Sequence, residues 1–129
     1  MALADALADH PARDTFDFAE LLRAIEACQA CATLCNVCAD SDLARDANAM
    51  RDCIRTCLDC AVICQATASV LARPAPSGDA WAALVNACIH ACRECAVECE
   101  GHDHECCTSC AAACRECEQA LQQLMAAAS

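Results

Sequence analysis

Cys28, Cys31, Cys35 and Cys38 follow one another in steps of three, four and three. The same alternation recurs in Cys53, Cys57, Cys60 and Cys64, in Cys88, Cys92, Cys95 and Cys99, and in Cys107, Cys110, Cys114 and Cys117. Thiolates in groups hold soft or borderline cations such as Cu(I), Zn(II) or the iron of iron–sulfur clusters, whereas a single accessible thiol in electropositive surroundings acts as a nucleophile or redox group. Alternating threes and fours keep residues on one seam of an α-helix. Each ladder then spans about 16 Å of helix. A buried cysteine taken alone is a small hydrophobe. Sixteen of the 17 in phase, in 129 residues that use Ala, Val and Leu freely elsewhere, point instead to ligation.

The elements that must position these thiols are helices. Glycine occurs twice and proline three times, too few turn residues for a many-stranded sheet, while Ala, Leu, Glu, Gln and Arg favour helix. Breaks fall at His10-Pro11, more softly at Asp40-Ser41-Asp42, plainly from Arg73 to Gly78, and at Gly101. The reading is all-α: a short N-terminal helical segment carrying Leu3 and Leu7, then four helices at roughly 14–39, 42–72, 79–100 and 103–127, with residues 1–129 forming a single domain. Short connections between long helices give an antiparallel up-down-up-down four-helix bundle with a cysteine-lined core. In that arrangement all four ladders gather at one end. Their seams continue into Ala24 and Leu21, Thr67 and Leu71, Val85 and Trp81, and Leu121 and Leu124, which collect with Phe16 and Phe18 at the other end. The expected molecule is a tube, half lined with thiols and half plugged with hydrocarbon.

Composition narrows the partners. Eight arginines, no lysine and 19 acids give a net charge of −11, which repels nucleic acid and anionic membrane surfaces. Acids, arginines or amides interrupt every apolar stretch, so no membrane span is expected. The start, MALADALADHPARD, lacks the basic and apolar regions of a secretory signal. A cytoplasmic location is expected, where thiols stay reduced, and an odd cysteine count opposes a fully paired disulfide framework.

Among soft cations the pattern favours Cu(I). Structural zinc commonly uses Cys-x-x-Cys on knuckles and turns, and iron–sulfur ligands come from loops, often beside proline. Here Cys-x-x-x-Cys recurs on helix, one turn apart, which suits an ion taking two or three thiolates, and a continuous column suits clusters with bridging sulfur. Helical rigidity counts against tetrahedral sites, each of which would need four sulfurs converging at once. Cys106 lies off the seam beside Cys107, in the first turn of the fourth helix if Asp103 is its N-cap, and reads as an added ligand at the column's end rather than a reactive thiol. His102 and His104, in the turn at the thiol end, and Met50, one seam step before Cys53, could form an inlet of weaker, exchangeable copper ligands; solvated histidines and a core methionine are the plain alternatives. His90 faces away from the seam, and Asp46 and Asp103 are explained by helix ends. High capacity suits binding rather than enzymatic turnover. Two other readings remain open: a thiol-based redox protein, and general zinc or cadmium sequestration.

A four-helix chain with repeated Cys-x-x-x-Cys and Cys-x-x-Cys on every helix, and histidines at one bundle end, resembles the bacterial copper storage proteins, from roughly Thr15 to Met125. It is most similar to their cytosolic branch, since the exported branch carries a twin-arginine leader. The resemblance implies storage and buffering of several Cu(I) ions per chain on the inward cysteines, a homotetramer of bundles, and exchange of copper with a chaperone or a copper-requiring enzyme. It matches His102 and His104 to the histidine-bearing open end.

Overall fold

A computed structural model describes residues 2–128, and every regular element within them is helical. Helix α1 (Ala2–Ala8) and one 3₁₀ turn (Arg13–Thr15) precede four long helices: α2 (Phe18–Asp46), α3 (Arg51–Leu71), α4 (Ala80–Glu100) and α5 (Glu105–Ala128). Helix α2 packs beside α3 and α5, and α4 beside the same two, closing a ring of sequential neighbours. Cys28 meets Cys117 while Cys38 meets Cys107, so α2 and α5 run in opposite directions. Cys64 meets Cys88 while Cys53 meets Cys99, which does the same for α3 and α4.

Three helix ends differ from expectation. Asp17 is the N-cap of α2, its Oδ1 accepting the amide of Glu20 at 2.9 Å, so the helix starts after residue 14. The break expected at Asp40-Ser41-Asp42 does not occur: α2 continues to Asp46, and the chain turns over residues 47–50. Ser and Asp only weakly oppose helix, Leu43, Ala44 and Arg45 favour it, and Asp42 itself lies fully buried on the inward seam. Asp103 does not cap α5. That helix begins at Glu105, and the carbonyl of His104 takes the amides of Cys107 and Thr108, each at 3.0 Å.

Small residues set the helix spacing. Ala32, Ala39, Ala61, Ala96 and Ala111 are buried beside the cysteine seams, and short side chains at a helix contact let the axes approach. Beyond the thiols the seams turn hydrocarbon. Leu21, Ile25, Leu71, Val85, Leu121 and Leu124 are fully buried at the far end, each large side chain contributing about 1.5–3 kcal/mol on burial. Phe16, just before α2, meets Trp81 edge to face with ring centroids 5.1 Å apart, closing that end, with Phe18 packed partly buried beside the core. Thr67, the one polar residue expected on the plug seam, is fully buried and satisfies its hydroxyl by donating to the carbonyl of Ile63 at 2.7 Å.

Helices α2 and α3 each hold an 18-residue stretch long and apolar enough to cross a membrane, with mean hydropathy 1.2 and 1.3. Cysteine and alanine supply much of that value. In the bundle the cysteines face inward, while Glu26, Gln29, Arg55 and Asp59 are exposed on the outer faces.

Candidate metal centre

The antiparallel seams bring the sixteen in-phase cysteines together as eight rungs. Between α2 and α5 the sulfurs of Cys28 and Cys117 are 3.5 Å apart, Cys31 and Cys114 3.6 Å, Cys35 and Cys110 3.6 Å, and Cys38 and Cys107 3.7 Å. Between α3 and α4 the rungs are Cys64 to Cys88 at 3.7 Å, Cys60 to Cys92 at 4.0 Å, Cys57 to Cys95 at 3.8 Å, and Cys53 to Cys99 at 3.8 Å. Two rungs at each height make a layer of four. In the layer second from the mouth the rungs also join each other, Cys35 to Cys95 and Cys57 to Cys110 both at 3.9 Å, closing a ring of four sulfurs. Layers connect along the axis through pairs one helical turn apart, as between Cys31 and Cys35 at 3.9 Å. All sixteen thiols are free and buried.

This spacing is what a shared ion requires. With metal–sulfur bonds of about 2.3 Å, trigonal ligation separates sulfurs by about 4.0 Å and tetrahedral ligation by about 3.8 Å. The rungs therefore need little movement for either geometry. Rigidity does not exclude fourfold sites: Cys31, Cys35, Cys60 and Cys114 lie with all sulfurs within 4.8 Å of one another, as do Cys57, Cys95, Cys99 and Cys110. The sequence argument against tetrahedral convergence is thus overturned. The flanking alanines draw the helices close enough for sulfurs from different helices to meet.

The apo thiols are held protonated at the mouth. Burial, joined by the carboxylate of Asp42, pushes the Cys53 thiol up to about 12. Burial also raises Cys107 to about 11, against the opposing pull of its bond with Cys38 and with the charges of Cys106 and Asp42 adding to the rise. Cys38 is raised too, by burial and then by its bond to Cys107. At the plug end Cys28 is raised chiefly by its bond with Cys117. A cation entering this column must displace protons, so binding strengthens as pH rises.

The residues read from sequence as an inlet lie at the thiol end in different settings. Met50, at the N-cap of α3, is buried and belongs to the same apolar cluster as the cysteines. His102 is partly exposed and directs Nε2 to the Glu98 carboxylate at 2.8 Å; it also lines a surface groove together with Cys99. His104 is partly exposed at the start of α5. Among the described residues, neither imidazole is bonded to a thiol. Cys106 is partly exposed and sits 4.0 Å from the sulfur of Cys107, with Nη1 of Arg45 directed at its own sulfur from 4.0 Å. His90 is exposed on the outer face of α4, as expected.

One residue at this end escaped the sequence reading. Asp42 is fully buried, and its Oδ2 and Oδ1 accept from the thiols of Cys38 at 3.9 Å and Cys107 at 4.0 Å. Its signal was present: it stands four residues after Cys38, the next step of the same alternation.

Comparison with known proteins bears on this arrangement. The family described as copper storage protein matches residues 18–126. Among solved structures, the copper storage protein Ccsp from Streptomyces lividans, loaded with 10 copper equivalents, is 41% identical with a TM-score of 0.91, over 97% of this chain and 98% of that one. A structure following copper loading to a cytosolic copper storage protein from Streptomyces lividans, with five coppers, is 44% identical with a TM-score of 0.79, over 83% of this chain and 92% of that one. Among curated proteins no match was found.

Proposed function

The chain belongs to the copper storage protein family, and we propose that it stores copper as Cu(I), several ions to a chain, on the thiolates of the bundle interior. The observation that carries this reading is the ladder of eight sulfur rungs, 3.5–4.0 Å across, in which no seam thiol reaches solvent appreciably. Soft thiolates select Cu(I), and rungs that touch their neighbours allow one sulfur to serve two ions. The proposed ligands are Cys28, Cys31, Cys35, Cys38, Cys53, Cys57, Cys60, Cys64, Cys88, Cys92, Cys95, Cys99, Cys107, Cys110, Cys114 and Cys117. Cys106 adds a ligand at the column's end, and copper passes in there past Met50, His102 and His104, whose thioether and imidazoles bind it more exchangeably than the column does.

The same reading covers the setting. The protein acts in the cytoplasm as a store and buffer, not as an enzyme: a catalytic thiol needs access, and sixteen of the 17 cysteines are buried. The chain is one domain, and bundles associate as a homotetramer, for which the exposed Val37, Leu43, Leu58, Val62 and Val97 on the outer faces offer apolar contact. A copper chaperone or copper-requiring enzyme exchanges copper at the mouth.

The test is an anaerobic titration of the reduced protein with Cu(I) in the presence of a strong competing chelator. Uptake of many equivalents before the chelator takes copper is expected. Saturation at one or two equivalents, with zinc held tightly instead, overturns the reading.

A further inference from the structure

The plug end carries a cavity that the thiol column does not use. The segment joining α3 to α4 borders about 370 Å³ of space together with Phe16, Leu71 and Trp81. That volume falls within the roughly 300–1,000 Å³ of small-molecule sites. Leu71 follows Cys64 on α3, and Trp81 precedes Cys88 on α4, by about 10 Å of helix each, so the cavity lies two turns beyond the last thiols. Its wall is held by the chain rather than left to a slack loop. Pro74 is fully buried, and around it the Ala75 amide donates to the Arg73 carbonyl at 2.8 Å in a tight turn.

Two opposite charges stand on this cavity. Arg73 and Asp79 both line it, yet among the described residues neither side chain is hydrogen-bonded or ion-paired, with the other or with anything else. Elsewhere in this acidic chain Arg23, Arg93 and Arg115 each find a glutamate. Asp79 precedes α4 without capping it. The apolar part of the wall includes Phe16 and Trp81, whose rings meet at 79° and so offer an edge and a face. We propose that this cavity binds a small zwitterion with an apolar body, the class of an aromatic or branched α-amino acid, its carboxylate on Arg73, its ammonium on Asp79 and its side chain against Phe16 and Trp81. A guanidinium takes a carboxylate through two parallel hydrogen bonds, and aromatic rings supply apolar contact. The net charge of −11 repels a free anion, whereas a ligand without net charge approaches unopposed.

Trp81 is the reporter for the experiment, since the chain has one tryptophan and no tyrosine. The full reduced chain, free of metal, is titrated with L-phenylalanine and with L-leucine, and tryptophan emission is followed in parallel with heat by calorimetry. Saturable binding with a Kd at or below about 1 mM is expected. Phenylacetate, which lacks the ammonium, and phenethylamine, which lacks the carboxylate, should each bind about tenfold more weakly or worse. Both charged residues are exposed, so Arg73→Gln and Asp79→Asn keep the fold. Each should weaken L-phenylalanine by about tenfold or more, while Arg73→Lys keeps most of the affinity. No saturable response in either readout overturns the proposal. So does binding that survives both substitutions unchanged, which would move the ligand elsewhere on the chain. Phenylacetate or phenethylamine binding as tightly as L-phenylalanine would overturn it as well, by removing one of the two charge contacts.

Discussion

In α2 one continuous seam carries Leu21 and Ala24 near its start and Cys28, Cys31, Cys35 and Cys38 further along, and every one of these residues is fully buried. Backbone and phase do not change between the two stretches; only the side chains do. The plug half fills its interior with Leu21, Ile25, Leu71, Leu121 and Leu124, which stabilise the bundle whether or not an ion is present. The thiol half buries small polarisable groups that contribute less apolar area each, and it presents ligands at spacings ready for cations. One geometry thus serves cohesion at one end and capacity at the other, and the division can be broken from either side.

Copper should produce the largest change. If ions bridge the rungs, each occupied site adds about 4 kcal/mol at a free ion concentration a thousandfold above its Kd. Thermal unfolding followed by circular dichroism, without oxygen, should rise steeply with each equivalent, and an unmoved Tm would show that the thiol half does not hold metal across helices. Leu121→Ala comes next. It should cost about 2–5 kcal/mol in denaturant unfolding of the apo protein, with the number of copper equivalents unchanged; a fall in capacity would mean that the halves are not separable.

Alkaline pH gives a smaller and more local effect. The Cys53 and Cys107 thiols are raised from 9.0 to about 12 and about 11. A folded-state pKa above the unfolded value stabilises the fold at low pH, and that contribution is lost as pH rises through the folded pKa. The apo Tm should therefore decline between pH 9 and 12, while the copper-loaded protein, its thiols already deprotonated, should decline less. Equal declines would contradict the placement of these thiols. Smallest in stability is Cys57→Ala, a change of about 1 kcal/mol. Its mark should be chemical instead, since it opens the four-sulfur ring of Cys35, Cys57, Cys95 and Cys110, and copper equivalents counted against a chelator should fall.

Much of this division was legible in the sequence. The phase of the cysteines fixed which faces point inward, and Leu71, Val85, Leu121 and Leu124 continued those phases into the plug. Helix ends were harder to read where weak breakers compete with tertiary burial. Asp42 looks like a cap in isolation, but the interior seam claims it. The pairing of His102 with Glu98 rests on a four-residue spacing visible in the letters, yet the choice of partner depends on how the turn after α4 is closed. Convergence of four sulfurs depends on the distance between helix axes, which the flanking alanines set and which no single helix's pattern contains.

The rungs between α2 and α5 join residues 69 to 89 positions apart in the chain, from Cys38 with Cys107 to Cys28 with Cys117. An ion on such a rung is a reversible cross-link between the first and last long helices, and it closes a loop that includes the other two. Unfolding from either chain end would then have to rupture metal–sulfur bonds before α2 and α5 could separate. With ions on these rungs, residence time in the store is a mechanical property: cargo and container release each other together.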